Sequence, residues 1–278
     1  MAPPKAGDIT RAANDLFSDD FGGAENKLTL KSTAANGVAL KVEGARSNAS
    51  GAVNALLETK YTHKPTGVSI KEKWTTKNVV ATEIGVANKV VAGSDATLCA
   101  NFVPNAGIQD LKLKTALKKD AFTATMDVTQ KAINATTCFG YKNFLFGVSS
   151  NISLGTFAPS GTKFTVGYRE GDLIVGTSIT DAAKVDGSIF HAVNPAVQAG
   201  VQFGWNRTSG ATSLAVAAQK RLDATSFAKV KINTAMDINA SYVVAVRPGV
   251  LLRLSADIAG NALASDKHQV GLHLTLSQ

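Results

Sequence analysis

From Asn26 to the carboxyl terminus the chain alternates apolar and polar residues in strand-length segments, and that period of two rules out most folds before composition is considered. After an Asn36-Gly37 turn, Val38, Leu40 and Val42 alternate with Lys41 and Glu43. Val53, Leu57 and Tyr61 share a face opposite Asn54, Glu58 and Lys60. Leu111, Leu113, Thr115 and Leu117 oppose Lys112, Lys114 and Lys118, and Phe122, Ala124, Met126 and Val128 oppose Thr123, Thr125 and Asp127. The last segment sets Val270, Leu272, Leu274 and Leu276 against Gly271, His273 and Thr275.

A soluble antiparallel sandwich with one wet face would also alternate. Three features point elsewhere. The pattern runs unbroken with no helix to cover a sheet, the turns are short, and the polar phase is rich in Lys, Gly, Ser and Thr. An apolar outside around a polar, hydrated inside is the arrangement of a membrane barrel, which satisfies every backbone group in lipid without a free edge. No run of apolar residues is long enough for a transmembrane helix. The expected fold is therefore all-β, a transmembrane β-barrel. Allowing ~25 residues for the amino-terminal segment and about 13 per strand plus turn, the length suits about 19 strands and does not separate 18 from 20.

One stretch departs from the period of two. In Gly7 to Asp19, residues Ile9, Ala12, Ala13, Leu16 and Phe17 fall on one apolar stripe at helical spacing. Asp8, Thr10, Arg11, Asn14 and Asp15 cover the other side, with Asp8 placed as an N-cap and as a favourable charge at the positive end. Gly22 and Gly23 follow as a hinge. The organisation expected is a helix and glycine hinge over 1–25, then one barrel over 26–278. The segment lacks the apolar core of a secretory signal, and Asp8, Asp15, Asp19 and Asp20 are wrong for a mitochondrial presequence, so it is expected to remain on the protein.

These residues are similar to the eukaryotic mitochondrial porins, the voltage-dependent anion channels. The matching stretches are Met1-Ala2-Pro3-Pro4 with Asp8-Ile9, Ala12 and Asp15-Leu16-Phe17, then Leu57-Glu58-Thr59-Lys60-Tyr61 and Glu72-Lys73-Trp74. They continue with Val166-Gly167-Tyr168, Gly187-Ser188-Ile189, Lys229-Val230-Lys231-Ile232-Asn233 and Pro248-Gly249, ending in His268-Gln269-Val270-Gly271-Leu272. The resemblance spans the chain in order. It implies 19 strands, the number known for this family, with the first and last paired in parallel and the amino-terminal α-helix inside the pore. It also implies voltage-dependent closure, and passage of ATP, ADP, phosphate and respiratory substrates across the mitochondrial outer membrane. Many members carry Gly-Leu-Lys after the fifth strand, associated with nucleotide contact; here Val90-Val91-Ala92-Gly93-Ser94-Asp95 stands in that region, and no discrete nucleotide site is expected there.

The formal charge is +8, from 29 Lys and Arg against 21 Asp and Glu. Lys27, Lys31, Lys41, Lys60, Lys71, Lys73, Lys112, Lys114, Lys118, Lys229, Lys231 and Arg253 all lie in the polar phase, so a barrel would turn them into its lumen, where rings of basic residues favour anions. Glu43, Glu58, Asp127 and Asp257 share that phase, which makes the expected preference weak. Glu72 is the exception on the other side. It is in phase with Val68, Ile70 and Trp74, so its carboxyl group faces lipid unless a bulge turns it inward. The resemblance ties a membrane-facing glutamate at this position to gating, lipid contact and oligomerisation. The helix residues expected to face permeating ions are Arg11, Asn14 and Asp15, and the apolar stripe is expected to rest on a break in the polar phase such as Leu56.

Nothing calls for catalysis. His63, His191, His268 and His273 have no metal spacing, Cys99 and Cys138 stand apart, and no phosphate loop or nucleophile elbow is present. No cofactor, no metal and no nucleic acid are expected; the partners are lipids, permeant anionic metabolites and nucleotides, and a homo-oligomer. A protein-import pore of the same membrane is the nearest alternative and usually carries a longer amino-terminal extension. A soluble scaffolding β protein is the alternative of another class.

Overall fold

A computed structural model describes residues 2–88, 91–263 and 267–278. A short 3₁₀ turn (Ala6–Asp8) leads into helix α1 (Arg11–Ser18), and nineteen strands follow among the described residues. The first six are β1 (Glu25–Thr33), β2 (Ala39–Ser47), β3 (Val53–His63), β4 (Val68–Thr75), β5 (Val80–Ala87) and β6 (Ser94–Val103). Next come β7 (Gly107–Lys118), β8 (Phe122–Thr129), β9 (Ala132–Tyr141), β10 (Phe144–Ser153), β11 (Pro159–Glu170), β12 (Leu173–Thr180) and β13 (Lys184–Asn194). The circuit is completed by β14 (Val197–Asn206), β15 (Thr212–Arg221), β16 (Ser226–Asn233), β17 (Asp237–Arg247), β18 (Val250–Ala259) and β19 (Gln269–Ser277).

Each strand pairs antiparallel with the next, and β1 also pairs with β19, which closes the sheet into a barrel. An odd number of strands running alternately up and down leaves the first and last pointing the same way, so the closing pair must be parallel. It is, from Lys27 opposite His273 to Lys31 opposite Ser277. Side chains extend this seam where the ladder stops. Asn26 accepts from the Leu272 N–H at 2.9 Å and donates to Asn48 at 2.8 Å, while the Asn48 amide donates to the Gly23 and Val270 carbonyls at 2.9 Å each.

The two phases sort as alternation requires, with the large apolar residues outside. Leu28, Leu57, Ile70, Trp74, Phe139 and Trp205 are exposed on the outer face, whereas Thr29, Thr123, Thr165 and Lys229 are buried on the inner one. That inversion of a soluble protein suits a lipid surround and a polar lumen.

The amino-terminal segment differs from the expected single helix. Its helical path is broken at Ile9-Thr10, and α1 begins only at Arg11, with Thr10 as its N-cap and no side-chain capping bond. Asp8 is the end of the 3₁₀ turn and not the cap. The apolar stripe is continuous across the break, because Ala6, Ile9, Ala13, Leu16 and Phe17 are all buried.

Candidate functional site

The site is the lumen with the amino-terminal segment laid across its wall. Ala13, Leu16 and Phe17 of α1 pack on Phe190 of β13 and Ala217 of β15, with Ile174, Ala192 and Ala215 around them. Ala6 and Ile9 pack on Cys138 of β9, with Leu145 of β10 against them. These inward apolar residues on β9–β15 form the patch that the stripe needs. The expected contact with Leu56 is not the one formed: Leu56 lies on β3, across the barrel from β13, beside inward Glu43 and Thr75.

The close approach depends on glycines in the inner wall. A Cβ at Gly167 would come within 2.3 Å of Ile9 Cγ2, and one at Gly176 within 2.1 Å of Thr10 Cγ2. Gly147 and Gly200 are close but less tight, at 2.9 Å from Ile9 Cδ1 and 3.0 Å from Leu16 Cδ2. Together they form a smooth track into which the side chains of Ile9, Thr10 and Leu16 settle against the sheet.

Both ends of the segment are tied down. At the start, the buried Thr123 hydroxyl donates to the Pro3 carbonyl. At the end, Lys229 Nζ donates to the carbonyls of Asp15 at 3.1 Å and Asp19 at 3.0 Å, and Lys231 Nζ to that of Phe17 at 2.9 Å. A helix end carries partial negative charge and leaves carbonyls without intrahelical partners; the Asp15 carbonyl also takes the Asp19 N–H at 3.0 Å, while the two lysines supply donors to Phe17 and Asp19 and complement the charge. Phe21 lies beneath both ammonium groups, 4.6 Å from Lys231 and 5.5 Å from Lys229. Asp20 pairs with Arg253 and lies 3.7 Å from Lys229.

Lys229, Lys231 and Arg253 thus point inward with the other basic residues but hold the helix, and Lys229 is only 4 % exposed. The tether turns at Asp20, whose φ is +67°, whereas Gly22 and Gly23 have no left-handed φ. Smallness serves contact at Gly23, where a Cβ would meet Asp257 at 2.7 Å, and at Gly271 of β19, where one would meet the Gly22 carbonyl at 2.0 Å; a Cβ at Gly22 itself would meet nothing nearer than Ser255 Oγ at 3.7 Å.

The face of the helix away from the wall is polar. Arg11 and Asp15 pair at 3.5 Å with largely exposed side chains, and Asn14 accepts from Gln202 of β14 at 3.1 Å. Asp8, with Lys5, looks across a cavity of about 680 Å3 toward Lys112 and Lys114 on β7.

The rest of the basic residues line the uncovered wall of β1–β8, mostly in ion pairs. Lys27 and Lys41 share Glu43, the latter at 2.7 Å; Lys71 lies between Glu58 at 3.8 Å and Glu83 at 3.6 Å. Lys112 pairs with Asp127 at 2.6 Å, Lys114 with Glu83 at 3.9 Å and Lys118 with Asp95 at 3.6 Å. Lys31, Lys60 and Lys73 project inward without an ion pair among the described residues, as does Lys163 of β11, in phase with Thr165 and Gly167. Opposite charges this close cancel at a distance, and because Glu43 and Glu83 each serve two lysines while Lys31, Lys60 and Lys73 have no ion pair among the described residues, this wall carries an excess of positive charge.

Glu72 is exposed on the outer face between Ile70 and Trp74, and β4 keeps unbroken register with both neighbours, so no bulge turns it inward. Its cross-strand partners are Thr59 and Thr82. In the segment that replaces Gly-Leu-Lys, Val90 lies outside the described residues, and Gly93 takes φ +84° before β6 begins at Ser94. Among the described residues no cluster of His, Cys, Asp and Glu is suited to a metal.

The profile of the eukaryotic porin family matches residues 2–271. The chain is 32% identical over 278 residues to the non-selective voltage-gated ion channel VDAC2 of Meleagris gallopavo, covering 99% of this chain and 94% of that protein. The corresponding human protein is likewise 32% identical, over 99% of this chain and 95% of its own length. Among solved structures, a triple mutant of the Rhodopseudomonas blastica porin aligns with 79% of this chain and 88% of its own at a TM-score of 0.49 and 8% identity. With a closed barrel of 19 strands, a parallel seam and a helix seated in the lumen already in place, the match over nearly the whole length establishes that this chain belongs to the eukaryotic porin family.

Proposed function

We propose that the barrel is a voltage-gated, weakly anion-selective passage for metabolites across the mitochondrial outer membrane, with the amino-terminal helix as its movable constriction. The observation that carries this is the seating of the helix. An eight-residue helix that occupies the lumen through a few apolar contacts and two lysine clamps can be released without unfolding the barrel. The relatives named as voltage-gated ion channels support the gating. Transport is passive diffusion and needs no covalent step, so the chain is not an enzyme. The permeants favoured are small anions, among them ATP, ADP and phosphate, drawn by the unpaired inward cations.

Selectivity follows from the charges that are not cancelled. In a planar bilayer with a potassium chloride gradient, the open channel should reverse on the chloride side of zero. Lys31→Gln, Lys60→Gln and Lys73→Gln together should move the reversal potential toward that of potassium. Cation preference in the unaltered open channel would contradict the assignment.

Glu72 places a carboxyl group against lipid, a costly position for a charge. Its proposed roles are lipid contact, gating and self-association. Reconstituted Glu72→Gln should close and self-associate differently from the parent; identical closure, lipid response and cross-linking into oligomers would remove Glu72 from all three.

A further inference from the structure

Between the polar side of the helix and the inner faces of β11, β12 and β13 lies a cleft of about 410 Å3. Its floor carries the hydroxyls of Thr165, Ser178 and Ser188, residues only 8%, 6% and 7% exposed. None of the three side chains makes a hydrogen bond among the described residues. Without a partner among those residues, the three hydroxyls open on one cleft and are free to donate to whatever occupies it. Thr165 and Ser178 are direct cross-strand partners, and Ser188 stands one inward step away on the next strand, opposite Gly176.

One inward step in the other direction, Lys163 and Lys184 flank Thr180 in a single cross-strand row. Lys184 is paired with Asp186 at 3.2 Å, whereas Lys163 has no ion pair among the described residues, so the charged groups here leave one positive charge in excess. Thr10 and Asn14 of the amino-terminal segment form the roof.

We propose that this cleft binds a compact oxyanion of the phosphate class, inorganic phosphate or a small phosphate monoester, and that the bound anion holds the helix against the wall. Several acceptor oxygens on one small anion match hydroxyl donors on two adjoining rows together with a free ammonium group, whereas a neutral polyol leaves Lys163 unused and a cation meets the wrong charge. The effect on gating rests on the helix being the movable constriction; the binding does not.

The test uses the full-length barrel in lipid nanodiscs, titrated with inorganic phosphate and with glycerol phosphate and followed by phosphorus-31 line broadening. Saturable binding of either anion is expected, weakened about tenfold in the Ser178→Ala, Ser188→Ala double variant and in Lys163→Gln. Thr165→Ser, which keeps its hydroxyl, should bind like the parent. So should Lys60→Gln, which removes an inward lysine outside the cleft. Heat-modified migration on gels checks that each variant is a folded barrel. In planar bilayers, the bound anion should raise the closing voltage of the parent but not of the double variant. Broadening that does not saturate for either anion, or equal weakening in Lys60→Gln, would overturn the site. A barrel without residues 1–20 that closes normally would instead overturn the gating role of the helix, whatever the phosphate titration shows.

Discussion

Lys229→Met should release the carboxyl end of the helix and make the channel close at lower voltage. The substitution removes the donor to the Asp15 and Asp19 carbonyls and leaves Asp20 with Arg253 as its remaining cation. Hydrogen bonds to charged groups contribute about 2 kcal/mol each, so losing even one net bond shifts the docked-to-released ratio roughly thirtyfold. Exchange of the Asp19 amide, which donates to Asp15 at the helix end, should quicken in step. Lys60→Met is the comparison, since it deletes an inward lysine that does not hold the helix; it should change selectivity and leave the closing voltage alone. If both variants close alike, the clamp is not what holds the helix.

Gly167→Val and Gly176→Val should have effects of similar size by a different route. The added side chains would overlap Ile9 and Thr10, whose nearest atoms already lie 2.3 Å and 2.1 Å from where a Cβ would be. Overpacking typically costs about 1–3 kcal/mol, and here the lighter element, a short helical segment, yields before the sheet does. The helix should be displaced in the resting channel, seen as altered single-channel conductance and loss of the parent's voltage response. Gly44→Ala, with open space around that position, should have no such effect. The decisive comparison is suppression: Ile9→Ala should restore gating to Gly167→Ala, because it returns the room that the new methyl takes. Failure to restore it would mean that the track does not seat the helix.

How far these features could be read before the structure depended on what alternation encodes. A period of two assigns each residue to a face, which is why the barrel, the inward lysines and the outward Glu72 followed from the chain alone. It does not say what covers a face. Lys229 and Lys231 have the same phase as Lys71 and Lys112, yet the first two hold the helix and the others pair with wall carboxylates. The helix stripe was visible at helical spacing, but its seat was sought at Leu56. A better signal was available in Leu214 to Ala218, apolar in both phases, as expected of a strand covered on both sides.

The glycines of the inner wall looked like filler in a polar face, because closeness between residues far apart in the chain leaves no local mark. Asp20 was equally opaque. The chain turns there at a left-handed aspartate and not at the neighbouring glycines, of which Gly23 is small for its contact with Asp257 of β18. The strand number came from the family resemblance, since chain length alone suits barrels of neighbouring sizes.

The central claim is that the amino-terminal segment is a detachable constriction in a barrel that stands without it. The most direct measurement is single-channel conductance and voltage response in a planar bilayer after deletion of residues 1–20. The barrel seam starts at Lys27, beyond the cut, so a conducting channel should remain. Its open conductance should rise and its voltage-dependent closure should be altered or lost. Parental conductance together with parental closure would contradict the account.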